Sequence, residues 1–223
     1  MSERQESLQV HAQAMVSGVA QVVNSSTGAR AALRRALRRP PDSDQARNAH
    51  RIVAPYLPGG ADTATERAFY AVASMIAAQP RTATDSEQDI GAVEETVEAH
   101  VAESDGGDRA VGDTSESLGK MLGRATALGA VKFDSMEKHL HLLCRQQLHG
   151  VHQHLPRLIL RLRRERVDIS WARLIVDLAT WPYGRDRITK RWLQDFYRTH
   201  HAITAARKQN SGNNSDSSES EDL

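Results

Sequence analysis

Apolar residues recur at steps of three and four along most of the chain, the signature of helices that bury one face. The first twenty-odd residues carry only scattered small apolar positions and predict a weak helix. Leu33 and Leu37 sit one turn apart, beside Arg34, Arg35, Arg38 and Arg39. Pro40-Pro41 ends that helix, because proline cannot continue the hydrogen-bond ladder. A helix over residues 44–54 stops before Pro55, and Pro58-Gly59-Gly60 marks a turn. Thr63-Ala64-Thr65-Glu66 has the form of a capping box, a hydroxyl and a carboxylate three apart. The helix it opens presents Phe69, Val72, Ala73 and Ile76 on one face.

Five further stripes follow beyond residue 116. They are Leu118, Met121, Leu122 and Ala125; Met136, Leu140, Leu143 and Cys144; Leu155, Leu158, Ile159 and Leu162; Trp171, Leu174, Ile175 and Leu178; and Ile188, Trp192, Phe196 and Ile203. Asp168 and Ser170 are cap candidates for the fourth. No segment alternates with period two, and no internal repeat is visible. The fold class is therefore all-α: two packed helical lobes, an N-terminal one over 1–81 and a C-terminal bundle over 117–208. A chain of 223 residues can bury one such shared core.

Charge divides the chain further. Residues 82–116 hold 11 acidic side chains and a single basic one, Arg109. With their glycines, serines and threonines they read as a flexible acidic insertion. Residues 209–223 are Ser/Asn-rich with four acids and no Lys or Arg, and read as a disordered tail. The formal net charge of +1 thus hides a basic body, since 117–208 alone carry 18 Lys/Arg against 7 Asp/Glu. Such a body attracts polyanions, and the negative appendages are expected to screen it.

Helical phase places the cations opposite the apolar stripes. Arg157, Arg161 and Arg164 share one face; so do Lys138, His141 and Arg145. Arg187, Arg191 and Arg198 line another helix, with Arg185 and Lys190 nearby. Arginine predominates, and its planar fork grips phosphate through two hydrogen bonds. The 7 local acids cannot pair with all 18 bases, which favours phosphate-backbone contact over a merely solvated face. Aromatic residues make up 4% of the chain and mostly lie on the apolar stripes, so a base-stacking platform is not expected.

Signs of an enzyme are weak. His139, His141, His149, His152 and His154 with Cys144 match no zinc spacing, and Gly150 weakens the helix that would align them. Cys144 lies on an apolar stripe and reads as a small core residue. Walker, Gly-x-Ser-x-Gly and His-Glu-x-x-His motifs are absent from the sequence. No catalytic residue, metal or cofactor is expected. A lone cysteine, no secretory pattern and no long apolar run lead to the expectation of a cytoplasmic protein with no membrane partner.

The C-terminal half carries a recognisable succession: Ser117-Leu118-Gly119-Lys120, Glu137-Lys138-His139-Leu140, Leu143-Cys144-Arg145, Leu155-Pro156-Arg157-Leu158-Ile159, Val167-Asp168-Ile169-Ser170-Trp171, Trp181, and Trp192-Leu193-Gln194-Asp195-Phe196-Tyr197. Upstream, Ala32-Leu33-Arg34-Arg35 and Ala54-Pro55-Tyr56 fit the same order. The sequence resembles the CasB family, small subunits of the type I-E CRISPR surveillance complex Cascade, over residues 28–80 and 117–199. The resemblance implies two helical lobes, no catalysis, and two copies along the complex. It implies guide-RNA-bearing subunits as partners, and a basic path touching the guide–target duplex backbone and the displaced single-stranded non-target DNA. Arg35, Lys120, Arg145, Arg157 and Arg185 are carried over by motif. Lys138, Arg161, Arg164, Arg187, Lys190 and Arg191 join them on helical phase. His139 and Pro156 depart from the family's basic residues there. Two other readings stand beside this one: a protein–protein scaffold whose arginines dock acidic surfaces, and an Arg-rich DNA-binding regulator.

Overall fold

The computed structural model describes residues 3–79 and 116–216. Residues 80–115 and 217–223, which include nearly all of the expected acidic insertion and the end of the tail, lie outside the described residues. Every regular element among the described residues is helical: α1 (Glu3–Ser25), α2 (Thr27–Arg35), a 3-10 turn (Asp44–Ala49), α3 (His50–Val53), a second 3-10 turn (Ala54–Tyr56), α4 (Thr63–Ala77), α5 (Leu118–Ala127), α6 (Phe133–Cys144), α7 (Leu148–Arg164), α8 (Trp171–Ala179) and α9 (Trp181–Asp216). The all-α reading holds.

Helix α1 is stronger than its composition predicts. Leu8, Ala12, Met15, Val19 and Val23 form one fully buried stripe, and Gly18 lets the Tyr56 ring pack directly on the helix backbone. Burial against neighbours, not propensity, holds it. The cap of α4 differs from the expected box: Asp62 is the N-cap, and its Oδ1 accepts from the Thr65 amide at 2.8 Å. Ser170 occupies the N-cap position of α8, while Asp168 instead pairs with Arg163 at 3.2 Å. Helix α7 runs unbroken through Gly150 and Pro156, starting earlier than its leucine stripe. Helix α9 continues to Asp216, past Gln209 where disorder was expected, and is kinked at Gly184.

The two halves share one core. α8 packs against both α1 and α4, and α5 runs along α9. A single apolar cluster extends from Leu8 through Phe69 and Leu155 to Phe196. The α5–α9 contact is very close, because Gly119 and Gly123 stand one turn apart where a Cβ would overlap the carbonyls of Trp192 and Phe196. A buried carboxylate fixes the next layer. Asp177 on α8, 1% exposed, accepts from Trp192 Nε1 at 2.7 Å, Arg191 Nη2 at 2.6 Å and Arg173 Nε at 3.0 Å. Three donors compensate the cost of placing that charge in the core.

Candidate nucleic-acid interface

Helices α2 and α7 lie side by side and build a basic groove between them. Thr27, Arg30, Ala31 and Arg34 form one bank, Leu160 and Arg164 the other, and Ala78 and Gln79 at the end of α4 the floor. The floor is rigidly held: Arg30 donates to the carbonyls of Ala77 at 3.2 Å and Gln79 at 2.5 Å, and Arg163 donates to Gln79 Oε1 at 3.1 Å. At the other end, Arg38 Nε donates to Gln153 Oε1 and Gln153 Nε2 donates to the Arg38 carbonyl, both at 3.2 Å. The two helices therefore run antiparallel. Gln153, Arg157, Leu160 and Arg164 recur at steps of four, three and four, so Arg157 lies on the groove face of α7. Arg34, Arg35, Arg157 and Arg164 are exposed and have no acidic partner among the described residues.

The other candidates lie on α5, α6 and α9. Lys138 and Arg145 line a shallow depression on α6 with Glu137, His141 and Leu142. Tyr197 of α9 closes its edge, donating to Glu137 Oε1 at 2.7 Å and lying 2.9 Å from His141 Nε2. Burial, then the Glu137 hydrogen bond, pushes the Tyr197 phenol up to about 12. Trp181 Nε1 donates to the Gln146 carbonyl at 3.3 Å, which sets the start of α9 against the end of α6. Arg187 and Lys190 are exposed without acidic partners among the described residues. Arg161 is turned towards α6, donating to Ser135 Oγ at 2.9 Å.

Three candidates pair with carboxylates: Lys120 and Arg191 with buried ones, and Arg185 with the exposed Asp186 at 3.4 Å. Lys120 pairs with Glu116 at 3.1 Å, and Arg124 grips the same carboxylate through both its terminal nitrogens. Glu116, placed in the insertion by its charge, is 7% exposed and belongs to the body. Arg191 is drawn onto the buried Asp177. Lys120, carried over by motif, and Arg191, placed by helical phase, thus have less to offer a phosphate than expected. Conversely, phase singled out neither Arg30 nor Arg34, since the groove arises only when α2 meets α7; the run Arg34-Arg35 was the available signal.

The histidines do not converge. His139 bonds the Ser135 carbonyl, His141 meets Tyr197, and His149 meets Arg67 Nη2 at 3.1 Å. His152 is buried with both ring nitrogens unpartnered among the described residues; burial, with Arg67 and His149 adding repulsion, lowers its pKa to about 3. No cluster of three metal-ligating side chains occurs among the described residues. Burial raises the Cys144 thiol to about 11, the behaviour of a core residue. Among the described residues no helix is long and apolar enough to cross a membrane.

Residues 29–197 match the family model of the CRISPR-associated protein Cse2. The chain belongs to that family. The matched span includes Arg30, Arg34, Arg157 and Arg164 of the groove. Two solved structures titled as a CRISPR RNA-guided surveillance complex, one of them pre-nicking, contain similar chains. The first is 38% identical with a TM-score of 0.72, covering 90% of this chain and 99% of that one. The second is 39% identical with a TM-score of 0.72, covering 89% and 98%. The crystal structure of M. ruber CasB shares the fold at 19% identity and a TM-score of 0.60, covering 90% of this chain and 97% of that one. A search of curated proteins gives no match.

Proposed function

We propose that this chain is the small, non-catalytic subunit of a type I-E CRISPR Cascade complex and holds nucleic-acid backbone without reading sequence. The observation that carries the backbone reading is the α2–α7 groove, where Arg30, Arg34 and Arg164 from both halves of the chain converge and exposed Arg35 and Arg157 extend the charge. Arginine forks bind phosphate bidentately, and each phosphate neutralised releases counterions. Replacing DNA pairing with guide-RNA pairing is nearly balanced in energy, so a surface that neutralises a few phosphates of the duplex or the displaced strand tips the balance towards the open R-loop. Sequence neutrality suits a strand of any sequence. Guide-RNA-bearing subunits and a second copy of this chain are the proposed partners.

The test is fluorescence anisotropy of labelled single-stranded and duplex DNA, titrated over salt. Arg34→Glu with Arg164→Glu is expected to weaken binding to every sequence alike. The log–log salt slope should fall by about 0.7–0.9 for each phosphate that is no longer neutralised. Arg145→Glu with Arg157→Glu in the assembled complex is expected to reduce R-loop formation with circular dichroism unchanged. Unaltered binding and R-loops in these variants would move the function to protein contact. The half-exposed Leu142 and Tyr197 beside the α6 depression favour that second, scaffold reading.

A further inference from the structure

Tyr183 stands outside the core. At 77% exposure it is the barest large apolar side chain among the described residues, while Trp181 and Trp192 on the same helix are buried and pack with ring centroids 5.2 Å apart. Its ring is nevertheless held in place. The hydroxyl donates to Asp62 Oδ2 at 3.2 Å, on the carboxylate that caps α4. Its root is set by Trp181, bonded to the Gln146 carbonyl, and by Gly184, which leaves helical geometry with φ −139° and ψ 19°. The ring is thus fixed at tip and root with its faces open to solvent.

Cations surround it. A Cβ on Gly184 would lie 3.6 Å from Arg187 Nη2, so that guanidinium covers the residue next to Tyr183. Arg185 shares the turn, its guanidinium 3.4 Å from the exposed Asp186, a solvent-exposed pair of little strength that a phosphate can displace. Asp62 sits at the hydroxyl end, where the α4 N-terminus offsets its charge. Phosphates are therefore drawn to the arginines of this turn rather than to the hydroxyl end beside Asp62.

We propose that Tyr183 stacks an unpaired nucleobase of a single strand whose phosphates lie on Arg185 and Arg187. This rests on the nucleic-acid reading above and adds base contact to it. Every base presents a π-face, so one stacked base keeps the binding indifferent to sequence. It also revises the expectation that the few aromatic residues provide no surface for base stacking.

The test compares the full chain with Tyr183→Ala and Tyr183→Phe on labelled oligo-dT and on an abasic strand of equal length. Stacking predicts that Tyr183→Ala weakens oligo-dT binding by about 5- to 150-fold with the salt slope unchanged. Tyr183→Phe should stay near wild type, because the ring remains. The abasic strand should bind the wild type and Tyr183→Ala equally weakly. If the wild type binds oligo-dT in a salt-dependent way but Tyr183→Ala binds as tightly, stacking is overturned and the backbone reading survives. If the wild type binds neither strand even at low salt, both fall. Loss of complex assembly by Tyr183→Ala with unchanged DNA binding would instead assign the ring to a protein partner and overturn the proposal.

Discussion

Replacing Gly119 with alanine adds one methyl group where the backbones of α5 and α9 come closest. A Cβ there would overlap the Trp192 carbonyl oxygen and crowd its carbon and Cα. These are main-chain atoms inside a helix, so no side chain can swing aside, and α9 itself must retreat. Overpacking against an obstacle of this kind costs about 3 kcal/mol. Retreat also loosens Trp192, 0% exposed, for about 1 kcal/mol more. Alanine's better helix propensity returns about 1 kcal/mol. The net loss is about 3 kcal/mol, which lowers the urea midpoint by about 1 M. Gly28→Ala is the control, since its nearest neighbour is Ser26 Oγ at 4.0 Å. Propensity acts alone there, and stability should rise by up to about 1 kcal/mol. Both are read by urea denaturation followed through tryptophan fluorescence and circular dichroism. A Gly119→Ala protein as stable as the wild type, with the control behaving as stated, would refute the close-packing argument.

Other perturbations probe separate features. His152 is held near a pKa of about 3, below its ordinary value of 6.5, because burial and the neighbouring Arg67 and His149 disfavour its charged form. The unfolded chain takes up that proton first, so stability is full above about pH 6.5 and declines as pH falls towards 3. His152→Leu should flatten this dependence by up to about 1.4 kcal/mol per pH unit, measured by denaturation at pH 7 and pH 5; parallel slopes would count against it. Arg166 adopts φ 58° at the end of α7, where Val167 and Arg166 amides bond the Leu162 and Arg163 carbonyls. Arg166→Gly should raise stability by about 1 kcal/mol in the same assay, and a fall would show that the side chain matters more than the backbone. Removing residues 209–223, with four acids and no bases, should tighten single-strand binding at low salt; equal affinity would clear the tail of any screening role.

The helices were readable because each buries a stripe that repeats with the helical period, as Leu155, Leu158, Ile159 and Leu162 do. Local chemistry was less legible. Thr63 and Glu66 offered a capping box, but Asp62 one residue earlier takes the cap, a choice set by where the chain leaves the Gly60 turn at φ 69°. The cations on α7 and α6 were identifiable from phase, and most are exposed. The commitment of Arg191 to Asp177 was not, because Asp177 sits on the apolar face of α8 and Arg191 and Trp192 reach it from another helix. Neither Gly119 nor Tyr183 carried a periodic signal. A glycine that admits a neighbour's backbone and an aromatic left outside the core both take their meaning from tertiary contact alone.

The connection between the halves begins and ends on fixed points. Arg30 and Arg163 hold Gln79 on one side, and Arg124 holds Glu116 on the other. Both anchors are made between described residues of the body, with 36 residues between them in sequence. Closing a longer loop costs only about 0.6 kcal/mol for each doubling of its length. The same body therefore tolerates very different inserts at this place, and evolution can rewrite the charge and length of the segment without renegotiating the core. By the same token, cutting the chain between the two anchors leaves in place the packing of α8 on α1 and α4 that joins the halves.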